Sequence, residues 1–376
     1  MAGRKKIEAA LSPGGTSAVP AVICYEDIYA RDHWDALTAC PWWYRFSPDV
    51  AQQLTWRRDV ITRTRQDWFA LPACPSRAER AATTIEQRAD GIYRVFKHRE
   101  EELERPMIGG WDPHGVSRQI SLDHLPQTVG QIEASIPPVD PFDAERFASE
   151  GRADLAAAML EEFGRELYPI ASVSSPLWGC YSLWGFEGMM LLVADRPDLV
   201  RRACEKLLDH AVRSVHQAAA LGAAGIWIEE CLTDMISPAA FETINMPVVG
   251  RLIDEIRKCG MKSIYYYCGD PAGKWQSILS LNADALSLEE SKKGFTIELA
   301  DVVSRVAGRF AVLGNLDAVG VLQNGSDRQL RDEIERQIRL GKSNGNRFIM
   351  SLGSPVTPST PVERVARYCD LVRELG

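Results

Sequence analysis

The second half of this chain repeats one pattern, and that pattern leaves few folds open. Short apolar segments rich in β-branched and aromatic residues alternate with longer segments of helical spacing. The strand candidates are Tyr168–Ser174, Gly225–Glu230, the segment Lys262–Gly269, Ala285–Glu290, Phe310–Asp317 and the segment from Phe348 to Pro355. The helical segments between and around them are Arg152–Leu167, Arg196–Leu221, a stretch from Ser237-Pro238 to Gly260, Trp275–Leu281, Thr296–Val306, Asp327–Leu340 and Val362–Leu375. Ser237 followed by Pro238 places a hydroxyl at the N-cap and a proline at the first helical position. Apolar strands alternating with helices imply a parallel sheet covered on its outside. Six such units in succession predict a (β/α)8 TIM barrel, and no G-x-G-x-x-G follows any strand to support an open dinucleotide-binding sheet. Ala18–Cys24 reads as a first strand; an eighth is not visible.

Residues 1–140 read as an N-terminal region and residues 141–376 as the barrel body, the two forming one integrated unit. Five tryptophans between residues 28 and 70 (Trp34, Trp42, Trp43, Trp56, Trp68) predict an aromatic clamp on this region or a wall of a substrate pocket. Gly91–Phe96 and Val116–Ile120 alternate apolar and polar residues, which suggests a small antiparallel appendage. Ile136-Pro-Pro-Val-Asp-Pro is a stiff connector. The segment from Pro176 to Phe186, with two tryptophans and two glycines, reads as a loop.

A formal charge of −8 argues against a general nucleic-acid binder. Met1–Lys6 is basic but no apolar stretch follows it, and no apolar run reaches the roughly 18 residues that a membrane span requires. The nine cysteines are scattered without a C-x-x-C, so reduced thiols in a cytoplasmic protein are expected. No histidine follows His216. A site built from the later strands must therefore work without imidazole.

In a parallel barrel the C-terminal strand ends share one mouth, where active sites form. The chemistry-bearing residues there are Glu26, Glu229, Glu230, Cys231, Tyr266, Tyr267, Cys268, Glu289, Glu290, Asn315, Asp317 and Ser354. Neighbouring residues on a strand face opposite ways, so one glutamate of each pair should point inward. Cys268, Cys231 and a glutamate such as Glu230 or Glu290 could hold a zinc ion. Without metal, a buried glutamate would have a raised pKa and serve as general acid or base. The plainer alternative is that these carboxylates pair with arginines or cap helices, and that Cys268 is an inert thiol.

The order Gly225…Glu230, Ile236-Ser-Pro-x-x-Phe241, Pro247, Tyr266-Tyr-Cys-Gly269, Gly314-Asn-Leu-Asp317, Phe348-Ile…Gly353-Ser-Pro and Thr360-Pro361-x-Glu363 resembles the uroporphyrinogen decarboxylase superfamily. The likeness covers residues 165–376 well and the N-terminal third weakly. It implies a (β/α)8 barrel, and the superfamily includes zinc-dependent methyltransferases that serve corrinoid proteins and thiols. Where the decarboxylases carry cationic residues for tetrapyrrole carboxylates, this chain has Cys24-Tyr-Glu-Asp-Ile-Tyr-Ala-Arg. Of the methyltransferases' zinc ligands, a histidine position is Tyr266, the following cysteine is Cys268, and the second cysteine position is Ser354. The resemblance therefore implies a methyltransferase-like enzyme that moves a methyl group from a small O- or N-methylated compound to a corrinoid protein. Catalytic roles would fall to Glu230, Tyr266 and Glu290. Substrate contacts would fall to Glu26, Trp178, Tyr181, Tyr267, Asn315, Asp317 and Ser354, and a rebuilt metal site to Cys268, Cys231 and Glu230. The aromatic mouth would suit a flat or methylated substrate, a quaternary ammonium included. No Asp-x-His-x-x-Gly is present, so any corrinoid would come on another chain, and a homodimer is plausible by likeness. The alternatives are a metal-free decarboxylase or lyase on a small carboxylic acid, or a non-catalytic binding protein on the same barrel.

Overall fold

A computed structural model describes residues 1–109, 125–292 and 294–376. Its main sheet has seven parallel strands in the order β1-β5-β6-β7-β8-β9-β10. These are β1 (Trp68–Ala70), β5 (Tyr168–Ser174), β6 (Gly225–Glu230), β7 (Lys262–Tyr267), β8 (Ala285–Leu288), β9 (Ala311–Leu313) and β10 (Phe348–Ile349). The sheet curls until its edges are separated only by the segment around Ala21. On one side Ala21 bridges Met350 in parallel, with Val22 N donating to Met350 O and Met350 N to Pro20 O, both at 2.9 Å. On the other, Asp67 N donates to Ala21 O at 2.8 Å. The barrel closes there.

The predicted first strand is thus present in place but reduced to a bridge. Pro20 has no N–H to give a ladder. Two side chains replace the missing ladder partners: Asp67 Oδ2 accepts from Ala21 N at 2.8 Å, and Gln66 Oε1 accepts from Ile23 N at 3.0 Å. The strand not visible in sequence is β1, only three residues long and embedded in the tryptophan-rich stretch.

A second sheet, β2 (Thr83–Gln87), β3 (Ile92–Phe96) and β4 (Arg99–Glu102), is antiparallel and forms the expected appendage. The alternating segment Val116–Ile120 lies outside the described residues.

The segment from Pro176 is helical rather than a loop. Ser175 caps it, its Oγ accepting from Trp178 N, and Pro176 occupies the first turn. Helices Pro176–Gly179 and Tyr181–Asp195 follow, the second kinked at Gly185, whose φ is +64°. Its glycines suggested a loop; one of them supplies a kink instead. The helix begun at Ser237 contains a wide π-type turn, Phe241–Asn245, before Met246–Lys258. That turn directs Asn245 at the end of β6, as its bond to Glu230 shows.

Register decides which strand residues face inward. Ser174, Glu229, Tyr266 and Ser287 are paired across β5 to β8, and Glu230 pairs with Tyr267 one residue on. Residues at one level of a parallel sheet share a face, so Glu229 and Tyr266 point into the barrel while Glu230 and Tyr267 point at the helices. Among the described residues no helix is long and apolar enough to cross a membrane.

Candidate active site at the barrel mouth

Tyr25 follows the closing segment with φ +56°, a left-handed conformation that costs a tyrosine roughly 1–3 kcal/mol. It ends the bridge abruptly and starts the helix Glu26–Asp32 above the barrel. The resulting cavity, about 260 Å³, is lined by Cys24, Tyr25, Glu26, Asp27 and Ile28 from this segment, Trp68 and Ala70 from β1, Ile170 and Ser172 from β5, and Trp227 and Glu229 from β6, with Ile23. Its rings meet at steep angles. Trp68 stands at 88° to Trp227 with centroids 5.8 Å apart, and Tyr25 at 72° to Trp227 at 6.4 Å. Behind Trp227, Tyr266 stacks on it at 4.9 Å and meets Tyr25 edge-on at 5.7 Å.

Three carboxylates border this space. Glu229 accepts hydrogen bonds from Tyr25 and Trp178, and burial raises its pKa. Burial and neighbouring Asp27 push Glu26 up to about 8, against the opposing pull of Arg57 and Gln66. Gln66 has its Oε1 tied to Ile23 N, which leaves its amide N–H to donate to Glu26. Arg57 lies behind the acids with its guanidinium 4.1 Å from the Trp56 ring centroid, and burial lowers it to about 10.

Next to the cavity lies a thiol pair. Cys231 and Cys268 follow β6 and β7 and hydrogen-bond to each other, and this contact and burial raise the Cys231 pKa. Gly269 must follow Cys268: its φ is +104°, and a Cβ there would sit 2.3 Å from Asp234. Beyond the thiols, Lys292 donates to Glu289 Oε1 and Ser354 Oγ, both at 2.5 Å, and stands 3.8 Å from Glu290. Tyr266 donates to Gly353 O at 3.0 Å, and burial holds its phenol neutral.

The structure therefore gathers Glu26, Trp178, Tyr266, Cys231 and Cys268 with Glu290 and Ser354 around the mouth. Tyr181 stacks on Trp178 at 5.0 Å at its rim. Four other sequence candidates are engaged elsewhere. Glu230, expected beside the thiols, is fully buried behind β6. It accepts from Ser175 at 2.6 Å, Asn245 at 2.7 Å and Tyr265 at 3.3 Å, and burial pushes it up to about 7. Tyr267 faces Phe241 and donates to Asp270 O at 3.2 Å. Asn315 clamps the end of β8, donating to Glu289 O and Ile297 O. Asp317 caps the turn Ala318–Gln323 by accepting from Val319 N and Gly320 N.

Sequence reasoning passed over Tyr25, Asp27, Trp227 and Lys292, offered Trp68 only as one of five tryptophans that could wall a pocket, and ranked Glu230 above Glu229. In a barrel both faces of a strand are apolar below the mouth, so alternation does not reveal which glutamate faces inward.

A catalytic zinc site takes three protein ligands and keeps one position open. Cys231 and Cys268 offer two. The remaining positions of the family's triad are committed, Tyr266 to a carbonyl and Ser354 to Lys292. The nearby carboxylates Glu289 and Glu290 hold the same ammonium, and Glu230 is turned away. Among the described residues, the one set of three ligand atoms within 4.8 Å of one another is His216, Glu255 and Cys259. It lies on the outer helices just before β7 begins, at the opposite end of the barrel. The residues at the mouth do not fit a three-ligand zinc ion.

Residues 121–375 match the family described as uroporphyrinogen decarboxylase (URO-D). The chain is 26% identical over 176 residues to the uroporphyrinogen decarboxylase of Thermodesulfovibrio yellowstonii, covering 47% of this chain and 46% of that protein. It is 26% identical over 210 residues to the enzyme of that name from Synechococcus sp. (strain JA-3-3Ab), covering 54% and 55%. The chain thus spans about half the length of these curated relatives. Among solved structures, a methyltransferase from Methanosarcina mazei shares the fold across 100% of this chain and 98% of its own, with a TM-score of 0.66 and 16% identity. The family match covers well over half of the sequence, and the chain belongs to the uroporphyrinogen decarboxylase family.

Proposed function

We propose that this chain is a methyltransferase-type member of the family, which takes a methyl group from a small O- or N-methylated compound and passes it to a corrinoid protein on a separate chain. The observation that carries this reading is the cavity. At about 260 Å³ it falls below the range of drug-sized ligand sites. Glu26, Asp27 and Glu229 border it, and among the described residues no lysine or arginine lines it. A tetrapyrrole bearing several carboxylates would meet the wrong charge in too small a space. The match in fold to the M. mazei methyltransferase along the whole chain supports the same branch.

The chain's own residues would bind and orient the substrate. Tyr25, Trp68 and Trp227 enclose its methyl-bearing end and exclude water, and Glu229 is held in place by two donors. Tyr266 braces Trp227 and ties β7 to the loop at Gly353. Lys292 supplies a fixed positive charge beside the thiol pair.

The test is to incubate the purified chain with methylated amines and aryl or alkyl ethers, with and without a corrinoid protein, and to follow methylation of the corrinoid spectroscopically. Demethylated product that depends on the corrinoid protein and falls at least tenfold in Trp227→Leu is the expected result. Carbon dioxide release from a carboxylic acid without that protein would replace this reading with the decarboxylase one.

A further inference from the structure

The mouth cavity combines aromatic rings at right angles with carboxylates, and this pairing narrows the substrate class. Trp68, Trp227 and Tyr25 come from three separate elements and line the cavity together, Trp68 and Tyr25 each standing edge-on to Trp227. Ring faces are electron-rich, and a cation enclosed by several of them is stabilised by up to about 2 kcal/mol per desolvated contact. Glu229, Glu26 and Asp27 line the same cavity. A neutral ether would gain from the rings but would bring no positive charge to Glu229 and Asp27, which line the cavity beside them.

From this geometry we infer that the cavity selects an onium compound, a small quaternary ammonium (or its sulfonium counterpart) with an uncharged or cationic tail. The state of the thiol site agrees independently. A quaternary nitrogen has no lone pair, so neither a metal ion nor a proton donor can activate it. When its methyl group leaves, the C–N bond breaks with both electrons remaining on nitrogen, which becomes a neutral tertiary amine. The methyl carbon takes its new pair from the corrinoid nucleophile on the partner chain, and no proton moves. Such a substrate needs no Lewis acid. Here Tyr266 is tied to Gly353 O and Ser354 to Lys292, which also holds Glu289, so the polar groups beside the thiol pair are already committed. The lining also disfavours one subclass: a betaine would bring its carboxylate to a cavity that no lysine or arginine lines among the described residues.

Methyl transfer from this ligand rests on the function proposed above; recognition of the ligand does not, and a binding experiment separates the two. Choline and its neutral isostere 3,3-dimethylbutan-1-ol are titrated into the full chain, followed by calorimetry and by the fluorescence of Trp68 and Trp227. Choline is expected to bind at least tenfold more tightly than the isostere, with tetramethylammonium competing. Glu229→Gln and Trp68→Leu are each expected to cut choline affinity about tenfold and to leave isostere affinity within threefold. Equal affinity for choline and the isostere, or no binding of either, overturns the inference, and that comparison needs no variant to fold. Choline binding with no demethylation in the presence of a corrinoid protein would keep the onium site and refute methyl transfer. Demethylation of a neutral ether without discrimination for choline would do the reverse.

Discussion

Replacing Glu230 by glutamine isolates the cost of keeping an acid behind the barrel wall. The carboxyl is fully buried, and burial lifts it from the ordinary 4.5 to about 7 even though Ser175, Asn245 and Tyr265 all donate to it. Between those two values the unfolded chain ionises while the folded chain keeps its proton. The folded state then binds more protons, so stability falls as pH rises through this window and levels off above about 7. The gap corresponds to roughly 3 kcal/mol in all. Glutamine does not titrate, and its variant lacks this fall. At pH 5 Glu230→Gln is expected to be less stable than the wild type by about 1–2 kcal/mol, because its amide must face at least one of three donors. By pH 8 the order reverses, the difference having moved by roughly 3 kcal/mol. Urea unfolding followed by far-UV circular dichroism at pH 5, 6, 7 and 8 measures this, provided the slope m is unchanged. Parallel stability curves for the two proteins would show that Glu230 is not held protonated in the fold, and the argument from burial would fail.

Lys292→Met leaves Glu289 and Glu290, both nearly buried, without their cation. A loss of roughly 3 kcal/mol is expected at pH 8, shrinking toward pH 5 as Glu290, whose pKa burial raises, takes up a proton, read as midpoint shifts against pH. A loss independent of pH would mean that the lysine acts by packing alone. Gly353→Ala would place a Cβ 2.3 Å from the backbone nitrogen of Glu290 and disturb the carbonyl that Tyr266 uses. It should cost about 1–3 kcal/mol and change the near-UV dichroism of the tyrosine cluster; an unchanged spectrum would argue against that close approach. Metal analysis of wild type and Cys268→Ser is expected to show no stoichiometric zinc that depends on this thiol. About one zinc per chain, lost in the variant, would show that the mouth completes a ligand set by rearrangement.

The barrel was legible because its strands from Tyr168 onward are long enough, and separated by helices regular enough, for periodicity to mark them. Of the two closing segments, Ala18–Cys24 was legible as a strand but not that it shrinks to a single bridge beside a proline. Trp68–Ala70 was not legible, being too short to show a period. The Ala21 segment is held by Asp67 and Gln66 side chains, contacts that no local pattern encodes. At the site, the mouth itself followed from the strand ends, and Cys231 and Cys268 were expected together because their strands are neighbours. What sequence did not show was direction. Glu229 and Glu230 are adjacent and chemically identical, and only the register against Tyr266 and Tyr267 tells which one enters the cavity. Lys292 escaped notice because two lysines shortly after two glutamates read as solvated surface pairs.

Closure at Ala21 also sets an order of events during synthesis. Its partner Met350 lies near the other end of the chain, so this contact spans almost the whole sequence. A nascent chain can assemble β5 to β8 from consecutive units, but the seam must wait until residue 350 has emerged. Contacts of such separation form late and slowly. Tyr25 and Glu26 directly follow that seam. A truncated or unclosed product would therefore keep most of its secondary structure and lack the ligand cavity, so ligand binding would report completion of the fold where circular dichroism would not.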